Sequence, residues 1–96
     1  MAVLMTIEFE ATPDQYDEVD KRLDLANNPA EGLIVHTAED VGGGKIRVVD
    51  VWDNAQALEA FTTGRLMEAM ADVMGPLDPD GSNPPEVREL HNVIKQ

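Results

Sequence analysis

The chain has 96 residues, no cysteine, and nineteen acidic against seven basic side chains, a formal charge of −12. The missing cysteine removes disulfides, thiolate nucleophiles and cysteine-ligated zinc or iron–sulfur sites, leaving carboxylates, His36 and His91 as the metal-binding types, and no metal site is expected from their spacing. The negative charge argues against nucleic acid and anionic membrane as partners, and no apolar run approaches about 18 residues, so a single cytoplasmic domain over residues 1–96 without signal peptide or span is expected.

From Val3 the odd positions Val3, Met5, Ile7 and Phe9 are apolar while the even ones turn polar toward Glu10, the period of two of a strand with one buried face. Thr12-Pro13-Asp14-Gln15 then reads as a helix start, because the threonine hydroxyl can cap, proline suits the first turn and Gln15 can close a capping box. Tyr16, Val19, Leu23 and Ala26 form one apolar stripe, and the helix is expected to end near Asn27-Asn28-Pro29. Gly32 to Ala38 and Lys45 to Trp52 read as two strands joined by a glycine hairpin at Gly42-Gly43-Gly44.

Asp53 or Asn54 can cap a second helix, with Ala57, Leu58, Phe61, Met67, Met70, Val73 and Met74 on its apolar side. Thr62-Thr63-Gly64 is expected to kink or divide it, since glycine and β-branched residues weaken a helix interior. Gly75-Pro76 reads as a stop, Leu77 to Pro85 as a loop, and Val87 to Ile94 as a last strand.

The order strand, helix, strand, strand, helix, strand is the ferredoxin-like, split β-α-β plan of the α+β class, and right-handed crossovers give the strand order fourth, first, third, second. Both helices then cover one face of a four-stranded antiparallel sheet. The strands carry apolar residues of both parities, such as Leu4 beside Val3 and Val49 and Val51 beside Val48, so the uncovered face is expected to be apolar and closed by a second copy of the chain.

The stretch Val49-Asp50-Val51-Trp52-Asp53-Asn54-Ala55-Gln56-Ala57-Leu58-Glu59-Ala60-Phe61 resembles the dimeric α+β barrel superfamily, which includes the antibiotic-biosynthesis-monooxygenase-like proteins: a strand ending in an aromatic, then a capped helix with a buried phenylalanine. The glycine hairpin and the closing segment Glu89-Leu90-His91-Asn92-Val93 also look like small members of that group. The resemblance implies a homodimer and, for an enzyme, oxygenation or isomerisation without a bound cofactor; relatives also degrade haem. Oxygenase and haem-degrading members pair a tryptophan with an asparagine on the first strand, and haem degraders add a histidine on the second long helix. Here Trp52 matches, the first strand offers Thr6 and Glu8, and the stretch from Ala55 to Met74 holds no histidine, which argues against haem degradation.

His36, Asp50 and His91 are the candidates for moving a proton. The histidines titrate near neutrality, and Asp50 shares parity with Ile46, Val48 and Trp52, which places it toward the helix side. The alternatives are histidines hydrogen-bonded within the sheet and an Asp50 paired with Arg47, Arg65 or Arg88. His36 and His91 belong to opposite edges, too far apart to share a metal in one subunit.

Trp52, Phe61 and Met70 are candidates for lining a site for a small apolar or aromatic ligand, with Met5, Met67 and Met74 adding adaptable thioethers; filling a plain core is their other role. Asp78-Pro79-Asp80-Gly81-Ser82-Asn83 lacks the ligand spacing of a calcium loop. The expected protein is therefore a dimeric barrel acting as a cofactor-independent monooxygenase or isomerase. The alternative is a non-catalytic ligand-binding or protein-interaction dimer. An enzyme requires a polar group inside a cavity of about 300 Å³ or more.

Overall fold

A computed structural model of the chain describes residues 1–74 and 85–94. The elements are β1 (Val3–Glu10), α1 (Pro13–Leu23), β2 (Leu33–Gly42), β3 (Lys45–Trp52), α2 (Ala55–Phe61), a π-helical turn (Thr62–Leu66), α3 (Met67–Met74) and β4 (Glu86–Glu89). The strands form one antiparallel sheet in the order β2-β3-β1-β4, with both helical segments on one side. Among the described residues no helix is long and apolar enough to cross a membrane.

Local chemistry accounts for most boundaries. Thr12 and Gln15 close the capping box of α1 reciprocally, at 3.1 and 2.9 Å, and Asn54 rather than Asp53 caps α2 through Ala57 N–H at 2.8 Å. Gly43 and Gly44 both have positive φ (64° and 76°), as a two-residue type I′ hairpin needs.

α1 stops earlier than its apolar stripe suggests. Asp24 turns left-handed (φ 49°), and the Arg65 guanidinium donates to the carbonyls of Leu23, Asn28 and Pro29. The bond to Leu23 satisfies a carbonyl that a continued helix would have used internally. Leu25 consequently packs into the core and Ala26 is exposed.

The second helical region is divided where Thr62-Thr63-Gly64 weakens it. The Thr62 and Thr63 hydroxyls bond back to the carbonyls of Leu58 and Glu59 at 2.8 and 2.9 Å, and the extra residue of the π turn brings Leu66, Ala69, Met70 and Val73 toward the α1 side of the core. β4 is shorter than the expected Val87 to Ile94. Among the described residues after Glu89 only the Leu90 N–H bond to Ala2 C=O, 2.8 Å, continues along the sheet, and His91 lies in a bend. The expected stop at Gly75-Pro76, the loop up to Pro84 and the residues 78–83 lie outside the described residues.

The core lies between sheet and helices and centres on Val3, Met5, Ile46, Val48, Trp52 and Leu58. On the opposite face Val35, Val51 and Leu4 form one cross-strand row and Thr37, Val49 and Thr6 the next, while Arg47 bridges Glu8 and Glu39 at 3.6 and 3.4 Å.

Candidate functional site

The site begins with a register shift. Leu33 faces Trp52 and Val35 faces Val51, so Ile34 is an extra residue in β2 and the face parity of the strand changes there. Leu33 and His36, three residues apart, therefore both turn toward the helices, and His36 becomes the cross-strand partner of Asp50. Gly32, just before the bulge, has φ +84° and accepts Asp53 N–H at 2.7 Å, which fixes the entry of β2 against the start of α2.

Three side chains form a line of hydrogen bonds. Asp50 Oδ1 lies 2.6 Å from His36 Nδ1, and His36 Nε2 lies 2.7 Å from the Tyr16 hydroxyl on α1. Trp52 Nε1–H donates to Asp50 Oδ2 at 3.4 Å. Asp50 is only 3 % exposed, so it meets protein groups rather than solvent. With the carboxylate accepting, Nδ1 carries the proton in either charge state of His36; Nε2 accepts from Tyr16 when the ring is neutral and donates when it is charged.

The same contacts set the proton affinities. The hydrogen bond that His36 donates to Asp50 raises the His36 pKa above its ordinary 6.5; burial opposes it, and the charges of Asp50 and Asp20 add to the rise. Burial, then the charges of Asp20, Asp50 and Asp17, push the Tyr16 hydroxyl up to about 12, so it stays protonated at neutral pH.

These groups line a cavity of about 480 Å³ between the sheet and the helices. Most of its wall is apolar, including Phe9, Leu33, Val48, Phe61 and Met70, and His36, Asp50 and Tyr16 form a polar patch in that wall. The volume falls within the roughly 300–1,000 Å³ of pockets that hold compact organic ligands.

Of the residues singled out from the sequence, His36, Asp50, Phe61 and Met70 line this cavity together, with Met5 and Met67. Trp52 does not line it. Its indole is 0 % exposed and packs on Phe61 with ring centroids 5.2 Å apart, so it supports the wall from behind and holds Asp50. His91 is exposed beyond β4, at the edge of the sheet opposite β2.

None of Arg47, Arg65 and Arg88, the alternative partners considered for Asp50, reaches it. Arg47 pairs with Glu8 and Glu39, Arg65 with backbone carbonyls and Arg88 with Glu86, while the closer His36 takes the carboxylate. Tyr16 is the member that sequence reasoning missed: it heads the apolar stripe of α1, and nothing in its spacing separates a core tyrosine from one whose hydroxyl meets a histidine. Among the described residues no cluster of histidines and carboxylates could hold a metal ion.

The fold is that of a ferredoxin-like α+β protein, and it is similar to the folds of several antibiotic-biosynthesis-monooxygenase-like proteins. NE2512, a protein of unknown function from Nitrosomonas europaea, superposes with TM-score 0.70 at 23 % identity, over 99 % of this chain and 94 % of that one. SnoaB, a cofactor-independent oxygenase from Streptomyces nogalater, superposes with TM-score 0.63 at 13 % identity, over 99 % of this chain and 98 % of that one. A Chloroflexus aurantiacus protein ascribed to the antibiotic biosynthesis monooxygenases superposes with TM-score 0.60 at 18 % identity, over 99 % and 100 %. At these identities the likeness is one of fold. No family model and no curated protein matches the sequence.

Proposed function

We propose that this protein is a cofactor-independent monooxygenase acting on a small aromatic molecule, and that its first step is abstraction of a proton from the bound ligand. The observation that carries the reading is the buried Asp50–His36 pair in the wall of an otherwise apolar cavity of about 480 Å³. A carboxylate behind an imidazole fixes its tautomer and raises its basicity, which suits a general base working near neutral pH. Resemblance in fold to an oxygenase that needs no cofactor supports the same reaction class.

The chemistry balances without an added reductant. A methylene flanked by carbonyl-conjugated rings gives up a proton to the base, the carbanion adds O₂, and the returned proton yields a hydroperoxide. Loss of water leaves a ketone, so R₂CH₂ and O₂ become R₂C=O and H₂O. Returning the proton to a different carbon instead is an isomerisation by the same apparatus.

The working form is proposed to be a cytoplasmic homodimer closed over the uncovered sheet face. Support comes from the apolar row Val35, Val51 and Leu4 with Val49 beside it, since Val35 stands 47 % exposed at its edge.

Anthrone, a tricyclic ketone with one acidic methylene, is the probe. Under air, oxygen uptake with formation of the quinone is expected above the spontaneous rate; without oxygen, the methylene should exchange with deuterium oxide faster in the presence of protein. Both accelerations should vanish in His36→Gln. Anthrone that binds, read by Trp52 fluorescence, with neither reaction accelerated would leave a ligand-binding protein and overturn the enzyme.

A further inference from the structure

Hydrogen bonds at His36 and burial at Asp50 together leave neither of them available to a ligand. Both imidazole nitrogens are occupied, Nδ1 by Asp50 and Nε2 by Tyr16. Each carboxylate oxygen of Asp50 accepts one bond, from His36 and from the Trp52 N–H, and at 3 % exposure the residue gives a ligand almost no access to its remaining lone pairs. A molecule in the cavity would have to break one of these bonds to reach the base directly. Tyr16 is different: a phenol hydroxyl can donate one hydrogen bond and accept others, only one of its positions is filled by His36, and the residue lines the same cavity.

We propose that Tyr16 is the catalytic residue that touches the ligand, passing its proton to His36. This rests on the proton-abstraction reading above and adds the atom that performs it. As the ligand's C–H or O–H bond breaks, its proton goes to Tyr16 Oη while the hydroxyl proton of Tyr16 goes to His36 Nε2. The electron pair stays on the ligand, Tyr16 ends neutral, and the positive charge rests on His36 against the Asp50 carboxylate. The new hydroxyl proton of Tyr16 then points at the ligand and donates to the oxygen on which its negative charge collects.

That geometry selects a substrate class. A hydrocarbon without oxygen offers the hydroxyl nothing. A phenol, or an aromatic ketone with an acidic C–H, offers both a removable proton and an oxygen that takes up the charge. The other charged groups lining the cavity, Glu10 and Asp20 with Lys45, accompany Tyr16 and His36 without a hydrogen bond to either among the described residues. Tyr16 stays a neutral phenol at rest because burial and the nearby aspartates resist its ionisation.

The test compares Tyr16→Phe, which keeps the ring, with His36→Gln and the parent. In anaerobic deuterium exchange of anthrone, Tyr16→Phe is expected to lose at least about 100-fold, the usual worth of a positioned acid–base group, while anthrone binding changes less than about threefold. The parent should show a solvent deuterium isotope effect with a linear proton inventory on top of the isotope effect of the methylene C–H itself, because the one solvent-exchangeable proton of Tyr16 moves as the C–H bond breaks, and a merely structural tyrosine would give no such solvent effect. Tyr16→Phe exchanging at the parent rate while His36→Gln is inactive would overturn the inference and leave the proton-abstraction reading standing. If His36→Gln also matches the parent, both fall.

A second arm needs no turnover. The parent should bind naphthol roughly tenfold more tightly than naphthalene, as one well-placed hydrogen bond allows, and Tyr16→Phe should bind the two within about twofold. Retention of the preference in Tyr16→Phe would overturn the role of Tyr16 even if anthrone is no substrate.

Discussion

His36 and Asp50 are direct cross-strand partners on β2 and β3, and their side chains meet on the helix side at 2.6 Å. The carboxylate is nearly sealed from water, so its charge is sustained by His36 and the Trp52 indole. Asp50→Asn preserves shape and removes that charge. It should destabilise the fold by about 1.5–3 kcal/mol, the range of hydrogen bonds to charged groups, and lower the His36 pKa. Urea denaturation at pH 7 and an NMR titration of His36 check this; an unchanged midpoint and titration would remove the coupling.

The same pair ties stability to pH. The folded chain holds the His36 proton above the ordinary pKa of 6.5, so it binds that proton more tightly than the unfolded chain does. This stabilisation is complete below about pH 6.5 and is lost as pH rises through the folded value. The informative quantity is the difference between parent and His36→Gln, in which contributions from the rest of the chain cancel. Their melting temperatures should converge as pH rises from 6 to 9, and a gap that widens would contradict the raised pKa.

The proposed base must be neutral to act, which reverses the dependence for catalysis. Turnover of anthrone should rise with pH along a single limb whose midpoint lies above 6.5, as His36 loses its proton. Asp50→Asn should move that midpoint downward because the largest cause of the shift is gone. Rates that fall across this range, in an enzyme whose melting curve is unaffected, would sink a neutral His36 base.

The order of elements was legible from local signals: the capping box at Thr12, the glycine hairpin, the weak point at Thr62-Thr63-Gly64 and the strand parity that put Asp50 on one face with Val48 and Trp52. The partner of Asp50 was not, because the bulge at Ile34 breaks the alternation of β2 and nothing local marks it. The end of α1 was hidden for a similar reason: Arg65 bonds the Leu23 carbonyl from 42 residues away. Tyr16 satisfies a helical stripe equally well as filler or as a hydroxyl donor, and only the third dimension separates the two.

Gly32 tests the fold beneath the site. Its φ of +84° is one that side chains resist, and a Cβ there would stand 2.6 Å from the Cβ of Ala57, at the first turn of α2. Gly32→Ala must therefore move α2 away from the bulge or unwind the turn. A loss of about 2–4 kcal/mol is expected from combined backbone strain and overpacking. Chemical denaturation measures it, and a loss below about 0.5 kcal/mol would show that the close approach is easily relieved.

The uncovered sheet face makes a prediction about assembly. Leu4, Val49 and Val51 lie on it half-buried in a single chain, Val35 is nearly half exposed, and the Glu8–Arg47–Glu39 bridges flank this apolar centre on one side. Apolar surface of this kind gains about 25 cal/mol for each Å² removed from water, and a twofold axis through it would lay each copy's rows against the other's. Sedimentation at micromolar concentration should then give twice the 10.5 kDa of one chain. Val49→Asp places a charge in the centre of the face and points away from the cavity, so it should shift the mass to that of one chain with the circular dichroism spectrum retained. A parent that sediments as a single chain would leave the apolar face open to water and remove the dimer from the proposed working form.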